Sequence, residues 1–218
     1  MVDANYTALH IVLDRSGSMS SIRDDMIGAL EHMLKEQASQ AGLLTVDVVT
    51  FDDELEHTHA WAAPEDVTVE LQPRGGTALY DAVGTVINGF DQRIEALPEH
   101  ARPTNVQVII VTDGFDNRST EYNADIVRSL VQRQRDKGWG FVFLGADQDA
   151  TLAAKGLGID EASAIAFTRD RQSVVDTMNA ASAMLTGTRL PAPQRDARAT
   201  RDTSTPPSTC IGLTPCSS

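Results

Sequence analysis

Val106-Gln107-Val108-Ile109-Ile110-Val111-Thr112-Asp113-Gly114 is the stretch that decides the fold. Its near-continuous Val and Ile suit a pleated strand, and a run without a polar face predicts burial on both sides. That is the position of an interior strand in a parallel sheet covered by helices. Asp113-Gly114 ends the run with a turn-forming pair.

The pattern recurs on either side. Leu9-His10-Ile11-Val12-Leu13 is a shorter apolar run closed by Asp14, and Thr45 to Phe51 is another closed by Asp52-Asp53. The latter turns toward a hairpin partner at Glu56 to Trp61. Phe141 to Leu144 and Ala164 to Phe167 predict two more strands. Between them the apolar spacing switches to that of helices: Ile22, Met26, Leu30, Met33 and Leu34; then Leu79, Val83, Val86, Phe90 and Ile94; then Ile126, Leu130 and Val131. Leu152 to Lys155 and Ser173 to Leu185 add two helices, and Ser21 with Asp24 resembles a capping box at the first of the five. Strand–helix alternation of this kind calls for an α/β fold. We expect a doubly wound, mostly parallel sheet with helices on both faces and one antiparallel edge hairpin, spanning residues 1–185. The Pro/Thr/Ser/Arg-rich remainder, 186–218, is expected to be a disordered tail.

Composition narrows the class. Of 218 residues, 41% are hydrophobic and 22% charged, which is globular usage. No uncharged apolar run approaches the roughly 18 residues of a membrane span. Met1 to Tyr6 lacks a basic region followed by an apolar one, so no secretory signal is expected and a cytoplasmic location is. The net charge is −13. From Arg169 onward six arginines face four aspartates, so the body before it carries 27 acids against 12 bases. Such a body repels phosphate backbones, which argues against nucleic acid as a partner. Cys210 and Cys216 lie near the end of the chain and cannot brace the body.

In a doubly wound sheet the carboxyl ends of the strands form one rim, where ligands bind. Asp14 and Asp113 both sit at such ends. Ser16 and Ser18 follow Asp14 at once, and the Gly75-Gly76-Thr77 loop opens the second helix on the same side. Two carboxylates and three hydroxyls therefore converge from three loops, with no histidine or cysteine among them. Such oxygen donors suit Mg²⁺, Mn²⁺ or Ca²⁺ better than Zn²⁺.

Asp14-Arg15-Ser16-Gly17-Ser18, Gly76-Thr77 and Thr112-Asp113-Gly114 together resemble the metal-ion-dependent adhesion site of the von Willebrand factor A domain family, in the same order and spacing. The resemblance covers about Tyr6 to Leu185, and is nearer to stand-alone intracellular bacterial and phage members than to animal adhesion domains. It implies that Ser16, Ser18 and Thr77 offer hydroxyl ligands to Mg²⁺ or Mn²⁺. It also implies that Asp14 and Asp113 hold the ion directly or through water. An acidic residue of a partner protein then completes the coordination, so the function implied is cation-dependent protein binding without turnover.

Other residues carry weaker expectations. Arg15 and Arg74 flank the ligands and are candidates to steer the incoming carboxylate. Thr77 is also a candidate N-cap. Asp81 is either an acceptor behind the ligands or an ordinary first-turn acid favoured by the helix dipole, and the latter is preferred. Asp116, Asn117 and Asp147 are rim candidates. His57 and His59 share a strand face without a third metal ligand, and His10 is expected to be a core residue. The alternative function is Mg²⁺-dependent phosphoryl transfer with Asp14 as nucleophile. Against it, such enzymes set an Asp two residues beyond the nucleophile, where Ser16 stands, and a lysine near the site; Lys35, Lys137 and Lys155 lie inside or at the ends of helices.

Overall fold

The computed structural model describes residues 5–146 and 150–189. Asp147, both cysteines and the stretch from 190 onward lie outside the described residues. Among the described residues six strands run β1 (Thr7–Asp14), β2 (Leu44–Phe51), β3 (Leu55–Ala62), β4 (Asn105–Thr112), β5 (Gly140–Ala146) and β6 (Ala164–Phe167). They form one sheet in the order β3-β2-β1-β4-β5-β6, with only β2–β3 antiparallel. The expected doubly wound sheet with an edge hairpin is therefore what the chain forms. β1 and β4 are its central pair, Leu13 opposite Val111, which brings the Asp14 and Asp113 ends side by side.

Alternate residues of the central strands feed two cores. Leu9, Ile11, Leu13, Ile109 and Val111 pack beneath α1 (Arg23–Ala38) and α5 (Arg171–Arg189). Val12, Val108 and Ile110 pack beneath α2 (Leu79–Ala96), α3 (Ala124–Asp136) and α4 (Ala150–Gly156). Each such side chain contributes about 1.5–3 kcal/mol on burial. That is why β1 and β4 carry polar side chains only at their two ends and at His10 and Gln107. α5 docks on α1 through Gln37, whose amide donates to Ser182 Oγ at 3.1 Å and Thr186 Oγ1 at 3.0 Å. Those contacts carry the helix past Leu185 to Arg189.

Two local expectations fail. No capping box forms at α1. A 3-10 turn, Gly17–Ser21, runs into the helix, Ile22 occupies the cap position, and no side chain caps it. Burial of Met19 and Ile22 commits the chain to helical turns before Ser21 can take the extended conformation a cap needs. Thr77 does not cap α2 either: Ala78 stands there. The first N–H groups of α2 are satisfied from a distance instead, Tyr80 donating to Asp116 Oδ2 at 3.1 Å and Asp81 to Ser119 Oγ at 2.9 Å.

Candidate functional site

The rim is knitted from backbone outward. Gly17 N donates to Gly75 O at 3.2 Å and Arg74 N to Arg15 O at 2.8 Å, which ties the loop after β1 to the loop before α2. Gly75 has φ +62°, and a Cβ there would stand 2.6 Å from Asp53 Oδ2, so only glycine fits the turn. The loop after β4 is joined in turn. Asn117 N donates to Thr77 O at 2.9 Å, and Thr77 N donates to Asn117 Oδ1 at 3.0 Å. Asp81 anchors its far end by accepting from the N–H groups of Thr120, Glu121 and Tyr122 at 2.7–2.9 Å. Asp81 is thus a loop anchor, and Asn117 a brace on Thr77.

On this frame the five expected residues lie on three adjoining loops. Ser16 and Ser18 hydroxyls are 3.0 Å apart, and Ser18 Oγ donates to Asp113 Oδ1 at 2.6 Å. Asp14 Oδ1 accepts from Ser16 N and Oδ2 from Thr112 Oγ1, each at 2.6 Å. Thr77 Oγ1 lies 3.7 Å from the place a Gly114 Cβ would occupy. Thr112 is an addition to the expected set, its hydroxyl donating to the Asp14 carboxylate.

Asp14 is fully inaccessible. Burial pushes its carboxyl up to about 6, against the lowering influence of the Thr112 and Ser16 hydrogen bonds, and the neighbouring Asp113 charge adds to the rise. No cationic side chain is among these influences. A divalent ion would supply the missing positive charge, and the donors are all oxygen, so the residues fit a hard cation. Among the described residues no three His, Cys, Asp or Glu side chains converge on one point. The ion would therefore rest on two carboxylates, the hydroxyls and water.

The flanking arginines do not face this centre. Arg15 is buried and donates to Asp52 Oδ2 at 3.1 Å, to Thr50 and to Glu56. Arg74 donates to Asp52 at 2.6 Å and to Glu54 at 3.3 Å. The acids of the β2–β3 hairpin capture both, so neither is placed to steer a ligand. The guanidinium that does reach the site is Arg169, at the end of β6, whose Nε donates to Asp113 Oδ2 at 3.2 Å and whose second nitrogen donates to Asp113 O at 2.7 Å. The strand-end rule that found Asp14 and Asp113 applies equally to Thr168-Arg169-Asp170, and would have found it. Beside Ser18, Asp113 and Arg169 opens a pocket of about 290 Å³ with Phe143 and Ala153 in its wall and Phe115 on its lip, 56% exposed.

His57 and His59 do not form a metal pair. His57 Nε2 lies 3.1 Å from Asp47 Oδ1, while His59 turns to Thr58. His10 is a core residue, its ring stacked on Phe90 at 3.5 Å.

No family model and no curated protein sequence matches the chain. Solved structures do. The von Willebrand factor domain of the type V pili tip protein Mfa5 from Porphyromonas gingivalis is similar with a TM-score of 0.63 and 11% identity, over 88% of this chain and 98% of that one. Proximal thread matrix protein 1 from the mussel byssus, with a zinc-occupied MIDAS motif, gives 0.59 and 18% over 85% of this chain. This chain spans about half of its length, 47%. A von Willebrand factor type A protein from Catenulispora acidiphila gives 0.56 and 19%, over 84% and 43%. Among the described residues no helix is long and apolar enough to cross a membrane. Strand order, rim and neighbours together assign this chain the von Willebrand factor A fold.

Proposed function

We propose that the rim holds one Mg²⁺ or Mn²⁺ and that the protein uses it to dock an acidic residue of a partner protein, without turnover. The observation that carries this reading is Asp14, a buried carboxylate that accepts from Ser16 and Thr112 and has no ion pair among the described residues, on a rim it shares with Asp113. Asp14 and Asp113 would supply the charge, and Ser16, Ser18 and Thr77 the neutral donors. When bound, the ion offers a positive centre with an open position for one more carboxylate oxygen. The mussel protein's site accepts zinc; the all-oxygen donors here favour the harder ions.

The phosphoryl-transfer alternative draws no support from the geometry. Lys35 and Lys155 sit in the last turns of α1 and α4, at the end of the sheet away from the rim, and Lys137 pairs with Asp91 and Glu95. The test is affinity capture by the full chain in Mg²⁺ and in EDTA, with Asp14→Ala as control. The reading expects a protein retained only by wild type in Mg²⁺; identical capture in all arms would refute docking. Metal-dependent phosphate release from a phosphate monoester, lost in Asp14→Asn, would establish the alternative.

A further inference from the structure

Asp113 is the ligand candidate whose carboxylate already has a cationic partner. Its side chain is inaccessible, Ser18 Oγ donates to Oδ1, and Arg169 Nε donates to Oδ2. Arg169 also clasps the Asp113 carbonyl oxygen, so the guanidinium grips the residue by two of its oxygens. The grip is built in advance. Asp170 accepts from Ser173 N at 3.0 Å and Ser173 Oγ accepts from Thr168 N at 2.9 Å, which fixes the short turn between β6 and α5 that carries Arg169. The pre-formed turn lowers the entropy lost in holding a long side chain at the rim. The arginine side chain is 40% exposed, so it can leave without unpacking the core.

We propose that Arg169 is an internal competitor of the cation. It occupies one of the two Asp113 carboxylate oxygens, Oδ2, and brings a positive charge to the carboxylate that the ion would share, so its hold sets the Mg²⁺ or Mn²⁺ concentration at which the site fills. The proposal rests on the reading of Asp113 as a ligand. A site with only two carboxylates has little charge to spare, and sharing one with a guanidinium weakens the ion's attraction directly. Release of the arginine then precedes or accompanies ion binding, and apparent affinity falls by the fraction of molecules in which Asp113 is held.

The test is Mn²⁺ binding to the full chain, read from the free-ion electron paramagnetic resonance signal. Four proteins are compared with wild type: Arg169→Gln, Arg169→Lys, Arg171→Gln and Asp113→Asn. Arg169→Gln is expected to bind Mn²⁺ about fivefold more tightly than wild type. Arg169→Lys, which keeps the charge but not the planar fork, should fall between the two. Arg171, 84% exposed and paired with Asp25 at 3.8 Å, carries the same charge two residues away, and its loss should leave affinity unchanged. Asp113→Asn should bind at least tenfold more weakly.

Equal or weaker binding by Arg169→Gln, with wild type binding normally, overturns the competition and leaves the metal reading standing. Absence of binding by wild type overturns both. A measurement on wild type alone guards against a variant that folds poorly: the Arg169 Nε–H resonance should move on titration with Mg²⁺, and a resonance that stays in place contradicts the proposal.

Discussion

Asp14 and Asp47 stand on neighbouring strands of the same sheet, both with no accessible side-chain surface, and burial has opposite outcomes for them. Asp47 lies deeper, in register with His10. Burial alone would raise its carboxyl, but His10, His57 at 3.1 Å from Oδ1 and the Arg93 charge at 2.8 Å hold it well below the usual carboxylate range. His10 Nδ1, at 3.5 Å, is at the outer limit of a hydrogen bond, and burial holds that imidazole toward its neutral form, so Arg93 provides the compensating charge. Arg93 in turn lies 4.9 Å from the ring of Trp61, which reaches it from a bulge in β3 where φ is +51°. Asp14 has hydroxyls where Asp47 has cations, and its carboxyl rises to about 6. One carboxylate belongs to a network whose charges are complete within the chain. The other is costly when ionised, as expected of a group whose counter-charge comes from outside.

The comparison breaks most visibly at Arg93. Arg93→Met would leave Asp47 buried beside weakly basic partners and should lower stability in urea by about 2–3 kcal/mol, a buried-pair loss discounted for the partial exposure of the arginine. The loss should grow as pH rises through the carboxylate range, because the unpaired Asp47 would resist ionisation. A change below about 0.5 kcal/mol would mean that the histidines suffice.

Asp14→Asn should do the reverse. With its folded value above the unfolded one, wild-type Asp14 binds its proton more tightly when folded. Its contribution therefore becomes unfavourable as pH rises from about 4 through about 6, and the penalty is complete above that. In EDTA at pH 8 the asparagine variant should gain on the order of 2 kcal/mol, less than the full shift implies because Asn offers one acceptor for the two donors. Its stability difference from wild type should shrink toward pH 4. Lower stability at pH 8 would show that Asp14 is satisfied as it stands.

The smallest change in stability sharpens the contrast. Thr77→Val and Ser16→Ala should alter urea stability by less than about 1 kcal/mol, since neither hydroxyl caps a helix, yet weaken Mg²⁺ binding about tenfold. Equal Mg²⁺ affinity in calorimetric titration would remove those hydroxyls from the donor set.

Much of this was legible in local pattern. Val106 to Thr112 and Leu9 to Leu13 announce interior strands because nothing polar interrupts them, and Asp113 and Asp14 announce the rim because they end those runs. What local pattern does not carry is long-range pairing. Arg15 and Arg74 adjoin ligand candidates in sequence, but Asp52, Glu54 and Glu56 on the hairpin draw them away. Thr77 looks like a cap until Asp116 and Ser119, nearly 40 residues on, take that task. Arg169 is less legible because β6 is only 4 residues long, so a short apolar run marks the rim end that it follows.

The central claim, that Asp14 awaits an external cation, is tested most directly by differential scanning calorimetry at pH 8. Wild type and Asp14→Asn are each melted in EDTA and in millimolar Mg²⁺. The account predicts that Mg²⁺ raises the melting temperature of wild type, that the asparagine substitution raises it in EDTA, and that Mg²⁺ adds nothing to the variant. Equal Mg²⁺ shifts in both proteins, or none in wild type, would contradict it.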